Sequence, residues 1–104
     1  LKTSFSKNGT HTPANSTGLT DGATACLLAN ENTEHQALGY ILDSVFIGTD
    51  PYEELLLGPS YAINKLLNRN KLSLDDIDVF EIHEAFAGQV LANLNALSTT
   101  LVIE

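Results

Sequence analysis

The chain has 104 residues, 43% apolar and 17% charged, with 13 acidic against 5 basic side chains and a formal net charge of −8. That length allows one domain or a piece of one, and the composition is that of a globular segment rather than a disordered one. The acidic balance and the lack of any Lys/Arg cluster exclude a phosphate-binding stripe for nucleic acid, and they give no electrostatic attraction for a nucleotide cofactor. The single cysteine, Cys26, excludes an intrachain disulfide and fits a reducing compartment.

Residues 1–22 are rich in Ser, Thr, Asn and Gly, with turn signals at Asn8-Gly9 and Thr12-Pro13. The run from Asn15 to Gly22 reads either as a surface loop or as a pocket edge, since Gly18 and Gly22 allow close backbone approach and the hydroxyls supply donors. The apolar run 23–29 is expected to be a buried strand, although periodicity alone does not separate strand from helix there. Asn30 then caps a short helix over 31–38 that stops at Gly39. A second strand is expected over 40–47, ended by Gly48 and the Asp50-Pro51 turn.

Gly58-Pro59 opens a helix whose apolar face is Ala62, Ile63, Leu66 and Leu67. Ser73 and Asp76 have capping-box spacing, and 77–82 reads as a third strand. A last helix begins near Glu84 and carries Phe86, Val90, Leu94 and Leu97 as its apolar stripe. Strand–helix alternation argues for an α/β layered fold.

Within this order, His83-Glu84 at a strand-to-helix junction is the best chemical lead, because strand ends in α/β sheets face the ligand crevice. A neutral imidazole N–H there can stabilise a developing oxyanion. The plainer alternative is a histidine that satisfies backbone groups at a helix start, with Glu84 complementing the helix dipole. Cys26 lies in an apolar run with no adjacent base and reads as a buried structural thiol. His11 and His35 stand in polar contexts and read as solvated. Asp43, Asp50, Glu53 and Glu54 make no metal site, since no His or Cys stands at ligand spacing to them.

Three blocks carry a resemblance. Gly9-Thr-His-Thr-Pro-Ala-Asn-Ser-Thr-Gly-Leu-Thr-Asp-Gly-Ala-Thr-Ala25 resembles the G-T-V-T-A-x-N-[SA]-S-G-x-[NT]-D-G-A-x-A segment of the thiolase family. Asp50-Pro51 with Leu56-Leu-Gly-Pro-Ser-Tyr-Ala62 resembles its D-P…G-P-x-x-A stretch, and Leu72 to Phe86 its L-x-x-x-D-I-D-x-x-E-x-[NH]-E-A-F block. His83 in place of the commoner Asn makes the chain most similar to the β-subunit branch of the fatty-acid oxidation trifunctional complex.

The resemblance implies a partial thiolase fold of layered α-β-α type. Residues 1–39 would close the N-terminal domain, 40–97 would open the C-terminal domain, and 98–104 do not follow the family. It implies a 3-ketoacyl-CoA thiolase of fatty-acid β-oxidation, with coenzyme A as substrate and no permanently bound cofactor. His83 would stand where the family's Asn holds an oxyanion-hole water, with Glu84 supporting it. Ser16 and Thr17 would lie on the pantetheine arm, and Leu57 and Gly58 along the acyl or pantetheine channel. Implied partners are CoA and 3-ketoacyl-CoA, and either further copies of the chain or a hydratase/dehydrogenase subunit, in the mitochondrial matrix or the bacterial cytoplasm.

The family's nucleophilic Cys, its G-H-P-x-G block and its second Cys have no counterpart in these residues, and Cys26 aligns with none of them. The chain therefore looks like an internal fragment, expected to be inactive alone because no acyl-enzyme forms without a thiolate. The alternatives are a non-catalytic thiolase-like binding or assembly module and, less favoured by the blocks, a related condensing enzyme.

Overall fold

The computed structural model describes residues 1–99, so the part of the 98–104 tail from residue 100 onward lies outside the described residues. Two helices form where local signals are strongest. Helix α1 spans Gly58–Asn70, with Pro59 in its first turn, where the missing N–H breaks no helical bond. It ends on Lys71 in the left-handed region (φ 56°, ψ 38°), and Leu72 N–H returns to Leu67 O at 2.9 Å in the pattern that closes helix C-termini. A 3₁₀ turn, Leu74–Asp76, follows. There the Asp76 carboxylate accepts from both Ser73 N–H (2.8 Å) and Ser73 Oγ–H (2.7 Å), using the capping-box pair expected from sequence. Helix α2 spans Ala87–Ser98 and packs on α1.

The strands expected over 23–29, 40–47 and 77–82, and the helix over 31–38, do not form among the described residues. A helix closes its backbone bonds within itself, whereas a strand exists only against a neighbour. Among the described residues the sole ladder element is an antiparallel bridge between Ser16 and Phe86. Surface area reflects this. The chain exposes 9311 Å², where a folded monomer of its size exposes about 5,700 Å². The radius of gyration is 17.3 Å, against about 13 Å for a compact chain of this length.

One stretch keeps a strand's geometry without its ladder. From 43 to 49, odd-numbered residues are half-buried and even-numbered ones exposed, the period of an extended chain with one face covered. Both ends of the segment meet α1. Asp43 meets its C-terminal end through Arg69 and Asn70, and Thr49 lies by its start, 3.8 Å from where a Cβ on Gly58 would stand. Tight turns between them, with Asp50 Oδ1 accepting from Tyr52 N–H (2.8 Å) and Glu54 N–H donating to Asp50 O (2.9 Å), reverse the chain. Arg69 binds the Asp43 carboxylate with two nitrogens and also reaches Ser44 O at 2.8 Å. Hydrogen bonds from Asn70 and then Arg69 hold the Asp43 carboxyl below the usual carboxylate range.

The helix–helix seam is more polar than the periodicity suggests. On α1 the expected face is covered, with Leu67 the buried apolar residue. On α2 the expected stripe is displaced: Leu94 is about half-exposed, and the most buried side chains are Gln89 and Asn93. Asn93 is fully buried with every hydrogen-bonding atom engaged. Its Nδ2 donates to Leu56 O (2.8 Å) and Gln89 O (2.8 Å), and its Oδ1 accepts from Ser60 N–H (3.0 Å) and Ser60 Oγ (2.7 Å). Leu57, the residue before α1, has no capping side chain, and Ser60 N–H in the first turn is shared between Leu57 O (3.0 Å) and Asn93 Oδ1 (3.0 Å) of the other helix.

Candidate functional site

The amino-terminal loop folds on itself before it meets α2. Asn15 organises it, accepting from Thr12 N–H at Oδ1 (2.8 Å) and donating from Nδ2 to Thr10 O (3.0 Å) around the Pro13 turn. The chain leaves that turn extended, and two backbone bonds dock it on the segment before α2: Thr17 N–H to Ala85 O (2.9 Å) and Ala87 N–H to Asn15 O (3.0 Å). The loop carrying Ser16 and Thr17 thereby lies beside the segment carrying His83 and Glu84, some 67 positions further along the chain.

Extended geometry then sorts the two loop residues. Successive side chains point to opposite faces. Thr17 lines an open cleft of ≈ 620 Å³ together with residues 80–84, Val90 and Leu94. Ser16 does not line it; its Oγ is buried without a hydrogen-bond partner. His83 and Glu84 both line the cleft and are solvent-exposed. Leu57 and Gly58 lie half-buried at the start of α1 and are not part of the lining; the Asn93 bond to Leu56 O ties that turn to α2. The structure thus unites Thr17, His83 and Glu84 on one cleft, and leaves Ser16, Leu57 and Gly58 out of its lining.

Helix α2 begins at Ala87, later than the Glu84 start read from sequence, because Phe86 adopts extended geometry and belongs to the bridge with Ser16. Glu84 therefore lies ahead of the helix rather than in its first turn. The cleft is lined by His83, by two carboxylates, Glu81 and Glu84, and by the apolar Phe80, Ile82, Val90 and Leu94. An imidazole in that setting offers a donor to a polar group, while the carboxylates repel an anion.

Two sequence readings change. Cys26 is exposed, because the run around it has no partner sheet to bury it. His11 is half-buried rather than solvated: its ring stands edge-on to Phe86 at 5.3 Å and to Phe5 at 6.1 Å. Sequence reasoning also passed over Ser60 and Asn93. The signal was the spacing of Gln89 and Asn93, four apart on a helix and so on one face.

Comparisons with known proteins bear on this geometry. The family described as thiolase, C-terminal domain, matches residues 35–102. A probable 3-ketoacyl-CoA thiolase of Caenorhabditis elegans is 50% identical, over 95% of this chain and 23% of its own length. The mitochondrial trifunctional enzyme subunit beta of Bos taurus is 47% identical, over 95% of this chain and 22% of its own. A 3-ketoacyl-CoA thiolase of Shewanella frigidimarina is 46% identical, over 85% and 21%. The chain thus spans less than a quarter of these relatives' length. No solved structure matches it. With two-thirds of its residues inside the matched region, the chain belongs to the thiolase C-terminal domain family.

Proposed function

We propose that the chain is part of a 3-ketoacyl-CoA thiolase of fatty-acid oxidation, in which CoA cleaves a 3-ketoacyl-CoA to acetyl-CoA and a shortened acyl-CoA, and that these 104 residues alone, without the nucleophilic Cys, form no acyl-enzyme and are inactive. The observation that carries the reading is the docking of Thr17 against the His83-Glu84 segment on one cleft. His83 would stabilise the oxyanion that develops on a thioester carbonyl, Glu84 would orient its neighbours, and Thr17 would touch the pantetheine arm. Ser16 would support Thr17, while Leu57 and Gly58 would form the adjoining channel wall. The acidic lining suits the neutral thioester and pantetheine end of the substrate, and the phosphates would lie elsewhere.

The layered α-β-α arrangement belongs to the same proposal, with 23–29, 40–47 and 77–82 as strands once neighbours supply their ladders. So do CoA as a substrate rather than a resident cofactor, assembly with further copies or with a hydratase/dehydrogenase subunit, and a mitochondrial or bacterial setting. The name of the Bos taurus relative, a mitochondrial enzyme subunit, supports the last two.

The test is steady-state thiolysis by the intact protein. CoA-dependent release of acetyl-CoA is expected, with kcat reduced about 10²- to 10³-fold by His83→Ala, as for loss of one oxyanion donor. Thr17→Val should raise KM and leave kcat nearly unchanged. No CoA-dependent cleavage by the intact protein would overturn the reading.

A further inference from the structure

Two features outside the cleft converge on the loop that carries Thr17. The His11 ring is wedged edge-on to both Phe5 and Phe86, and those two rings close the triangle at 5.4 Å. Its Nε2 is buried without a hydrogen-bond partner, so shape rather than hydrogen bonding holds it. A Cβ placed on Gly88, in the first turn of α2, would lie 2.7 Å from Nε2 and 3.0 Å from Cε1 of His11. Gly88 does not have a positive φ, so what demands glycine is space and not backbone conformation. To swing aside, the ring would have to give up its edge contacts with Phe86 and with Phe5.

We propose that His11 and Gly88 form a ring-and-notch pair that holds the Thr17 loop on the 85–87 segment. This makes His11 a positioning residue for the cleft, acting through Thr17 on thioester binding, and in that respect it rests on the thiolase reading. The pair adds side-chain contact to the two backbone bonds that dock the loop beside the Ser16–Phe86 bridge.

The experiment is a double-variant cycle in the intact protein: Gly88→Ala, His11→Val, and both. Valine lacks the ring atoms that crowd Gly88. Two readouts are followed, amide exchange at Thr17 and Ala87 and KM for the 3-ketoacyl-CoA. Gly88→Ala alone should speed exchange and raise KM by about tenfold each, with kcat largely kept, whereas adding it to His11→Val should change either by no more than about twofold. A merely structural defect would lower stability without that reversal. If Gly88→Ala does not fold, recovery of folded protein in the double variant supports the pair and continued misfolding overturns it. Unchanged exchange in Gly88→Ala, or equal damage in both backgrounds, also overturns it. An intact protein without thiolysis removes the functional reading, while the exchange measurements still judge the pair.

Discussion

The extended segments 23–29 and 40–47 are richer in apolar residues than the helix pair, yet they bury less of them. In α1 and α2, Leu67 is buried and Asn93 is entirely enclosed; in the segments before them, Leu27, Leu28, Leu42 and Phe46 are between 70% and 95% exposed. Both regions follow the same rules of burial. What separates them is where the hydrogen-bond partners come from. Each helix needs only its own backbone and one neighbour, so a short stretch of chain completes it. A strand needs a second strand that these residues do not supply.

That contrast orders the expected effects of substitution. The largest should come from Asn93→Ala, which removes from the seam the side-chain bonds to Leu56 O, Gln89 O and Ser60; a loss of about 3–5 kcal/mol in the denaturant unfolding of the intact protein is expected. Leu67→Ala should cost about 3 kcal/mol by cavity formation, read in the same way.

Acid should act next, at the link between the 43–49 segment and α1. The Asp43 carboxyl is held low by Asn70 and Arg69, so its stabilisation is full above the ordinary carboxylate pKa and is lost as pH falls through the lowered value. Asp43→Asn should flatten the acid limb of the stability profile. At the alkaline end the sign reverses. The Tyr61 hydroxyl, 2.6 Å from Glu54 Oε1, is raised by that hydrogen bond, so its contribution holds below the ordinary tyrosine pKa and fades as pH climbs through the raised value. Tyr61→Phe should remove that alkaline loss.

Smaller still, Lys71→Gly should stabilise by about 1 kcal/mol, because it relieves a side chain in the left-handed region. Smallest for stability is Leu27→Ala, expected within about 0.5 kcal/mol for a polypeptide of these 104 residues. For that polypeptide Leu27→Ala and Phe46→Ser should instead reduce self-association and binding of a hydrophobic dye. Equal costs at Leu27 and Leu67, both read in that polypeptide, would break the comparison.

Legibility in the sequence follows the same division. The start of α1 was visible in Gly58-Pro59, its face in Ala62 to Leu67, and the turn after it in Ser73 and Asp76, all signals read within a few residues. The inward face of α2 was misjudged because Gln89 and Asn93 are polar by type yet buried, with Asn93 fully partnered by position. His83 and Glu84 stood out at a junction, and Thr17 in a loop, but nothing local announces that 15–17 pairs with 85–87. Family resemblance suggested both; the backbone bonds show how they meet. The His11–Gly88 fit was invisible for the same reason, as a close approach between residues 77 positions apart.

The most direct test of the account is titration of the intact protein with CoA while signals from labelled Thr17, His83 and Leu27 are followed by NMR. The cleft predicts that Thr17 and His83 shift together along one saturation curve, with Leu27 unmoved. Saturation that shifts neither Thr17 nor His83, or shifts only one of them, would contradict a shared site.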